Sequence, residues 1–399
     1  MKIKLSPKFA FYLYAILIFI TLSSFRNRGV ESTGFDIQIL IKVIVWSFCG
    51  LMGFVYWKAL GYKNKCNYQL LIIMFSLYIF ATSPFSPAGL YSVVTSFVFV
   101  CCAVFYIYLF TVLDKEHVLK AFVIGTSSLV FLSLVATVVS PDLVYQEYWN
   151  DLGYIEGVRF KGLTTNANSL GQLAAVSLFI VIVMGKSIFR KKNITRGLLI
   201  FTLFCILIFS QSRTSLLALL LALSYVFFYR RFAFFYTATY FTFCFITVIY
   251  FTELYKYLLP SFSRSGSVEE LFTFTGRTLI WEVVWELIKE SPYFGYGYAS
   301  SKVIIPLNFE TSWGWTTVNS HSFMLQLLLS TGFIGSLPIF LLVSFQFYRL
   351  LTFKGRLSSA LFVFVLVTGI LESGAIGPIP NFMTLVWLLS IFLIYYEKT

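Results

Sequence analysis

The stretch LYSVVTSFVFVCCAVFYIYLFTVL (residues 90–113) runs for 24 positions without an Asp, Glu, Lys or Arg. As an α-helix it would be about 36 Å long, because each residue adds about 1.5 Å. The hydrocarbon core of a bilayer is about 30 Å thick. The apolar residues of this stretch are too continuous for a strand of a membrane β-barrel, in which apolar and polar residues alternate. The stretch therefore predicts a membrane-spanning helix.

Similar apolar runs recur along the whole chain. The 399 residues are 58% hydrophobic and 12% charged, with a mean hydropathy of +0.83, values typical of integral membrane proteins. Spanning segments must satisfy their own backbone hydrogen bonds, so we predict an all-α integral membrane protein, a single polytopic domain over residues 1–399. The expected spans, about twelve, are 9–25, 36–60, 68–83, 90–113, 119–139, 168–185, 197–210, 213–229, 232–253, 321–348, 357–373 and 380–396.

The distribution of Lys and Arg predicts the orientation of these spans. With the N-terminus inside, the cytoplasmic segments hold 19 of these residues and the short outer segments hold 5. Because positive residues favour the cytoplasmic side, both termini are expected to be cytoplasmic. No small-residue cleavage site follows the first span, so we interpret it as a retained helix. The net charge of +13 then faces anionic lipid, and we predict no nucleic-acid partner.

Two predicted outer loops are much longer than the others, at residues 140–167 and 254–320. Connections of this length are often functional. The second contains RTLIWEVVWELIKE (277–290), which places its aliphatic residues on one stripe and its charged residues on the other face. This pattern predicts an amphipathic helix of about 21 Å lying over the helix bundle or in the membrane interface.

Four arginines on the predicted outer side are candidate anion ligands: Arg159, Arg213, Arg264 and Arg277. Arg213 lies between two short apolar spans, where a cation is costly unless it meets an anion or a water-filled cavity. A guanidinium can bind a phosphate through two parallel hydrogen bonds. It can equally extend toward lipid headgroups. Both interpretations of Arg213 remain open at this point.

His321, one of two histidines, stands directly before an apolar run. An imidazole can act as a general base near neutral pH, and it can also simply cap or pack at the start of a helix. The other histidine, His117, is predicted on the inner side, and the six cysteines fall in spans or on the inner side. No pair of outer carboxylates forms a cage for a divalent ion. We therefore predict no metal and no cofactor.

Four stretches together resemble the O-antigen ligase and polymerase superfamily. The family patterns are H-[NSQ]-x9-G-x-x-G, R-x3-L, and G-R-x-x-x-W followed by P-x-x-G-x-G, with a segment that opens the middle spans. The matching stretches are HSFMLQLLLSTGFIG (321–335), RTSLL (213–217), GRTLIWEVVWELIKESPYFGYGY (276–298) and RFKGLTTNANSLG (159–171). They occur in the family's order on the predicted outer side. Gly332 and Gly335 are expected to permit close helix packing.

The resemblance implies transfer of a glycan from undecaprenyl diphosphate to an acceptor hydroxyl at the periplasmic face of the bacterial inner membrane. It implies that His321 is the base that activates the hydroxyl. It further implies that Arg213 and Arg277 stabilise the departing diphosphate, with Arg159 as a third candidate. The expected substrate contacts are Arg159, Arg264, Asn166, Asn168, Asn319, Trp313 and Trp315.

Several activities are compatible with this resemblance. We expect a polysaccharide polymerase, whose acceptor is another lipid-linked repeat unit, because such polymerases outnumber ligases. The alternatives are a ligase that transfers to lipid A-core, a protein O-oligosaccharyltransferase, and a flippase that is not an enzyme. The flippase hypothesis predicts internal repeats and charged residues deep within spans, and the sequence has neither feature. The expected partners are the lipid-linked donor, the glycan acceptor, the lipid bilayer and a chain-length regulator.

Overall fold

The computed structural model describes residues 6–25, 36–60, 67–149, 155–189, 192–229, 231, 276–311, 314–377 and 379–397. In this part of the chain the predicted all-α fold is confirmed, with one small hairpin added. The α-helices are α1 (Pro7–Leu22), α2 (Ile37–Leu60), α3 (Asn67–Thr82), α4 (Leu90–Val112), α5 (Lys115–Val139), α6 (Pro141–Val144), α7 (Ala167–Phe189), α8 (Asn193–Phe209), α9 (Arg213–Phe227), α10 (Arg277–Glu290), α11 (Ser301–Asn308), α12 (Phe323–Leu351), α13 (Arg356–Leu371) and α14 (Phe382–Leu393). Short 3-10 segments follow α3, precede α14 and extend α14 to Glu397.

Six of these helices are long and apolar enough to cross a membrane, namely α2, α3, α4, α5, α7 and α12. Five further apolar helices, α1, α8, α9, α13 and α14, are shorter. The chain is therefore a membrane protein, and eleven of the predicted stretches form helices. The total of twelve spans stays a prediction, because the predicted span 232–253 and residues 254–275 of the predicted outer loop lie outside the described residues.

The predicted loop 140–167 is folded rather than irregular. It contains the short helix α6 and an antiparallel hairpin of β1 (Tyr145–Trp149) and β2 (Ile155–Phe160), in which Gln146 is the partner of Arg159. The amide of Lys161 donates to the carbonyl of Val144 at 2.8 Å, which closes the hairpin at its base. The hairpin thereby brings Arg159 back to the start of α7.

The predicted amphipathic helix is confirmed as α10. Its residues Ile280, Val284 and Ile288 are buried at helical spacing. They form a small core with α11 and with Leu328 and Leu329 of α12. Helix α10 therefore lies over the beginning of α12.

Helix α12 is interrupted at Gly332, where φ is +59° and ψ is −172°. The backbone amides that follow the break do not remain unpaired: Phe333 donates to the carbonyl of Pro292 at 2.8 Å, and Ile334 donates to that of Tyr293 at 3.0 Å. A Cβ at residue 332 would collide with the main chain of Tyr293, so only glycine allows this approach. A Cβ at residue 335 would likewise collide with the ring of Tyr78.

The polar residues of interest collect at one end of the helix bundle. There α7, α9 and α12 begin and α8 and α13 end; we call this the site end. Polar side chains are found at such helix ends because the apolar interior of a membrane bundle penalises charges that lack partners.

Candidate functional site

The carboxylate of Glu372 lies at the centre of the site end. Glu372 is the first residue after α13. Its Oε1 accepts a hydrogen bond from Arg277 Nη2 at 2.8 Å and another from Asn168 Nδ2 at 2.8 Å. Its Oε2 lies 3.7 Å from Nδ1 of His321. Residues from four distant parts of the sequence therefore meet at one group.

Each of these side chains is delivered by the end of a helix. Arg277 is the first residue of α10 and Asn168 is the second residue of α7. His321 immediately precedes Ser322, the N-cap of α12. The side chains of Arg277, Glu372 and His321 are only 16%, 18% and 23% exposed. The cluster is thus largely removed from water, which strengthens its electrostatic interactions.

Arg159 extends this cluster toward the turn between α8 and α9. Its Nη2 donates to Asn168 Oδ1 at 2.7 Å. Its Nε and Nη2 donate to the carbonyl of Ser210 at 3.1 and 2.8 Å. The guanidinium is buried, so it acts here as a bridge between Ser210 and Asn168. Through Asn168 the bridge continues to Glu372.

The backbone of His321 adopts an unusual conformation. Its φ is +49°, the left-handed region that non-glycine residues rarely occupy and that costs roughly 1–3 kcal/mol. The conformation aims Nδ1 toward Glu372 and brings Nε2 within 3.2 Å of Thr317 Oγ1. At 3.7 Å the contact between Nδ1 and the carboxylate of Glu372 is longer than a hydrogen bond.

Glu372 is an anion over the whole physiological pH range. Burial by itself acts to raise the pKa of this carboxyl. His321, the charge of Arg277 and the amide of Asn168 outweigh burial and lower the pKa to about 2. Arg277 and His321 therefore face an ionised carboxylate.

Arg213, the other arginine expected at the diphosphate, is placed differently. It is the first residue of α9, at the site end, and it is exposed. It lies three residues after Ser210, the residue bound by Arg159. Arg213 makes no hydrogen bond or ion pair with another described residue, in contrast to Arg277.

Five predicted contacts remain to be placed, namely Arg264, Trp313, Asn166, Asn319 and Trp315. Arg264 and Trp313 lie outside the described residues. Asn166 caps α7, since its Oδ1 accepts from the amide of Ser169 at 2.8 Å. Asn319 lies two residues before His321. The backbone amide of Asn319 donates to Thr317 Oγ1 at 3.3 Å.

Trp315 lies further along the predicted outer loop. It is 39% exposed. Its ring packs edge-on against Phe309 with 6.3 Å between ring centroids. The indole face therefore retains exposed surface close to the chain segment that leads to His321.

An apolar groove of about 310 Å³ opens beside His321, between α12 and α13. It begins at Ser322, the residue after His321, and Trp281 of α10 lies at the same end. It follows α13 from Ile370 to Phe362, a distance of about 12 Å. Its other lining residues are Phe323, Met324, Leu325, Val343, Val365, Leu366 and Gly369. Such a groove accommodates a flexible hydrocarbon chain whose polar end lies at the cluster.

Glu372 is the residue that sequence reasoning did not select. The sequence does carry a signal, because a carboxylate directly follows an apolar run at its predicted outer end. Ionisable groups at such positions are usually paired. As for metals, in the described ranges no three His, Cys, Asp or Glu side chains come together as a possible metal site.

Residues 198–340 match the family model described as O-Antigen ligase. No curated protein matches the chain. The matched segment begins in α8 and ends in α12, and it includes Arg213, Arg277 and His321. The resemblance seen in the sequence motifs is confirmed by this match. Arg159, Asn168 and Glu372 lie outside the matched segment and are joined to it only in three dimensions.

Proposed function

On the premise that residues 198–340 belong to the O-antigen ligase family, we propose that this chain is an inverting, metal-independent glycosyltransferase. The family supports an O-antigen polymerase or ligase type of function in general. In the specific reaction that we propose, a glycan moves from undecaprenyl diphosphate onto the next lipid-linked repeat unit. The chain is then a polysaccharide polymerase.

One observation carries this proposal: Glu372 joins Arg277 and His321 in a single, largely buried cluster. Glycosyl transfer from a diphosphate needs a cation for the leaving group and a base for the acceptor proton. Arg277 supplies the cation. Its pair with Glu372 runs through Nη2, and a guanidinium has several further N–H donors. His321 supplies the base.

The orientation of the His321 ring determines which of its nitrogens accepts the proton in the proposed reaction. Nδ1 faces Glu372, which leaves Nε2 as the nitrogen that accepts the proton of the acceptor hydroxyl. A hydroxyl, that of Thr317, already lies 3.2 Å from this nitrogen. The acceptor oxygen then bonds to the anomeric carbon from the face opposite the diphosphate. The bond from that carbon to the diphosphate oxygen breaks, and its electron pair leaves with the diphosphate.

The charges of the cluster suit each stage of this step. Glu372 stabilises the imidazolium that forms on His321, in the way that a buried carboxylate assists a histidine base. Arg277 stabilises the diphosphate, and Arg213, exposed at the same end of the bundle, is available as a second cation. The apolar groove beside Ser322 fits the polyprenyl chain of the donor.

We propose that the site end faces the periplasm of the bacterial inner membrane. The asymmetry of 19 inner against 5 outer Lys and Arg supports this orientation. A reporter fused after Lys192 is expected to be cytoplasmic and one inserted near Gly266 periplasmic. If both reporters lie on one side, the orientation is wrong.

A ligase that transfers the glycan to lipid A-core is the second candidate. The description of the matching family, O-Antigen ligase, favours it. The two activities share a donor and a leaving group and differ only in the acceptor.

The test uses the purified full chain in lipid nanodiscs with a polyprenyl-diphosphate-linked oligosaccharide. A ladder of multimers identifies a polymerase, and a single addition to lipid A-core identifies a ligase. Movement of the donor across the bilayer without transfer identifies a flippase and contradicts the proposal. His321→Ala serves as the inactive control, and EDTA is expected to leave transfer intact.

A further inference from the structure

The turn that carries His321 is held by one buried side chain, that of Gln326. Gln326 lies on the first turn of α12 and is 1% exposed. Its Oε1 accepts a hydrogen bond from the amide of Ser320 at 3.1 Å. The hydroxyl of Ser320 in turn donates to the carbonyl of Ser322 at 2.9 Å. Ser320, on one side of His321, is therefore tied directly to Gln326, and Ser322, on the other side, is tied to it through Ser320.

The orientation of the Gln326 amide is unambiguous. A backbone amide can only donate, so the atom that faces the amide of Ser320 must be the oxygen. Nε2 of Gln326 then donates to the hydroxyl of Ser301 at 2.9 Å. Ser301 is the first residue of α11 and is fully buried. Gln326 thus connects the His321 turn to a helix of the predicted outer loop.

The hydrogen bonds of Gln326 hold a turn whose backbone is strained. His321 has a φ of +49°, and such a conformation persists only when its surroundings impose it. The ring of His321 meets Thr317 on one side and Glu372 on the other. A small rotation of the turn would move both ring nitrogens away from these partners.

We propose that Gln326 is a positioning residue that sets the imidazole of His321 against Glu372. It touches no substrate in the proposed reaction and acts through the amide of Ser320. The inference rests on the proposed function for the role of His321 as a base. The geometric part, that Gln326 holds the ring in place, does not depend on that role.

Helix α12 offers a matched control in Gln346. This second glutamine is 2% exposed, and it also bridges two groups. Its Oε1 accepts from Trp387 Nε1 at 3.0 Å, and its Nε2 donates to Ser390 Oγ at 2.9 Å. Gln346 lies on the far side of the Gly332 break, near the opposite end of the bundle. Gln→Leu at either position removes the same chemistry from the same helix.

The experiment compares Gln326→Leu, Gln346→Leu and the unmodified chain in nanodiscs. The first readout is glycan transfer from the lipid-linked donor, resolved into kcat and KM. The second is the rate at which diethyl pyrocarbonate modifies each histidine, followed by mass spectrometry. The chain has only two histidines, so the exposed His117 reports reagent activity within the same sample.

For Gln326→Leu we expect kcat to fall on the order of tenfold to a hundredfold, the effect of a small misplacement of a catalytic group. The KM for the donor should change little, because the arginines bind the diphosphate. Modification of His321 should become several-fold faster as its ring leaves Thr317, and that of His117 should not change. Gln346→Leu should alter neither readout.

Ser301→Ala provides a milder variant in case Gln326→Leu folds poorly. It removes the nearer of the two hydroxyls that accept from Nε2 and leaves that of Ser330 at 3.5 Å. It is expected to change both readouts in the same direction by a smaller factor. The proposal is overturned if His321 is modified at the unaltered rate in Gln326→Leu and in Ser301→Ala. It is equally overturned if Gln346→Leu produces the same changes.

The two proposals fail in different ways. If the unmodified chain transfers no glycan, the proposed function is wrong. The modification rate of His321 still reports whether Gln326 positions it.

Discussion

Helix α13 has a carboxylate at each end, and the two are held in opposite ways. At its beginning, Glu397 accepts from the amides of Leu357 and Ser358 at 2.7 and 3.1 Å and from the hydroxyl of Ser358. The start of a helix is electropositive and has unpaired amides, so it stabilises an anion by itself. Glu397 therefore caps the start of α13, and it is held by two backbone amides and one hydroxyl of that helix.

At the other end of the same helix, Glu372 follows Leu371. The end of a helix is electronegative, which disfavours a carboxylate. Glu372 is instead held by Arg277, Asn168 and His321, all from other elements. A carboxylate kept in an unfavourable position by titratable and cationic side chains marks a candidate functional site. The contrast separates the end of α13 where we propose the chemistry from the end where the carboxylate caps the helix.

The largest effect in this comparison is expected for His321. A general base contributes about 10²–10⁴-fold, so His321→Ala should lose most glycan transfer while the protein still inserts in the membrane. His321→Gln keeps hydrogen bonding but cannot take the proton, and it should remain poor. The measurement is transfer from the lipid-linked donor. Near-normal turnover of His321→Gln would leave His321 as a structural residue at the start of α12.

The next largest effect is expected for Arg277. Its replacement by Ala should cost about 2.7–4 kcal/mol of transition-state stabilisation, as for the loss of one donor to a developing anion. Arg277→Lys should restore only part of this stabilisation. An ammonium lacks the planar fork of donors with which a guanidinium can bind Glu372 and a second anion together. Arg213→Ala, measured in parallel, tests the exposed arginine. Unchanged transfer in a well-expressed Arg213→Ala protein would leave Arg277 as the single clamp.

Much of this fold could be predicted from the sequence, because apolar runs of membrane length fix helices almost independently of their neighbours. Helix α4 coincides with the run at 90–113 to within one residue. Helix α10 was predicted from its amphipathic stripe for the same local reason. The hairpin that carries Arg159 was not predicted, since its pairing within an irregular loop depends on turn geometry.

The site was predictable only in its parts. Arg277 and His321 were selected from motifs, and nothing in the sequence stated that they share Glu372. That contact joins positions separated by 95 residues in one case, and only the packing of α10, α12 and α13 creates it. The left-handed backbone of His321 is likewise imposed by tertiary contacts such as those of Gln326.

A smaller effect is expected for Glu372→Gln, which keeps the shape of the side chain and removes its charge. The weaker interactions with Arg277 and His321 should reduce the transition-state stabilisation of glycan transfer by about 1.5–3 kcal/mol, the range for hydrogen bonds to charged groups. The pKa of Glu372 is lowered to about 2, so Glu372 does not titrate in the working range.

The lowered pKa of Glu372 gives the pH test its sign. In the unmodified chain, the contribution of Glu372 to stability should be lost only as pH falls from about 4.5 toward about 2. Thermal unfolding of Glu372→Gln, measured across the same pH range, should not show this loss. The same loss in that variant would mean that another group causes it.

The smallest effect on transfer is expected at the other end of α13, for Glu397→Ala. Removal of a helix cap typically costs about 0.5–2 kcal/mol of stability, because the amides of Leu357 and Ser358 lose their partner. Thermal unfolding in detergent should therefore occur at a lower temperature, while kcat and its pH profile should match those of the unmodified chain. Glu372→Gln should show the reverse pattern, with a change in transfer that exceeds any change in unfolding temperature. If Glu397→Ala instead reduces transfer as much as Glu372→Gln does, then the two ends of α13 are coupled, and the cap at Glu397 belongs to the functional machinery.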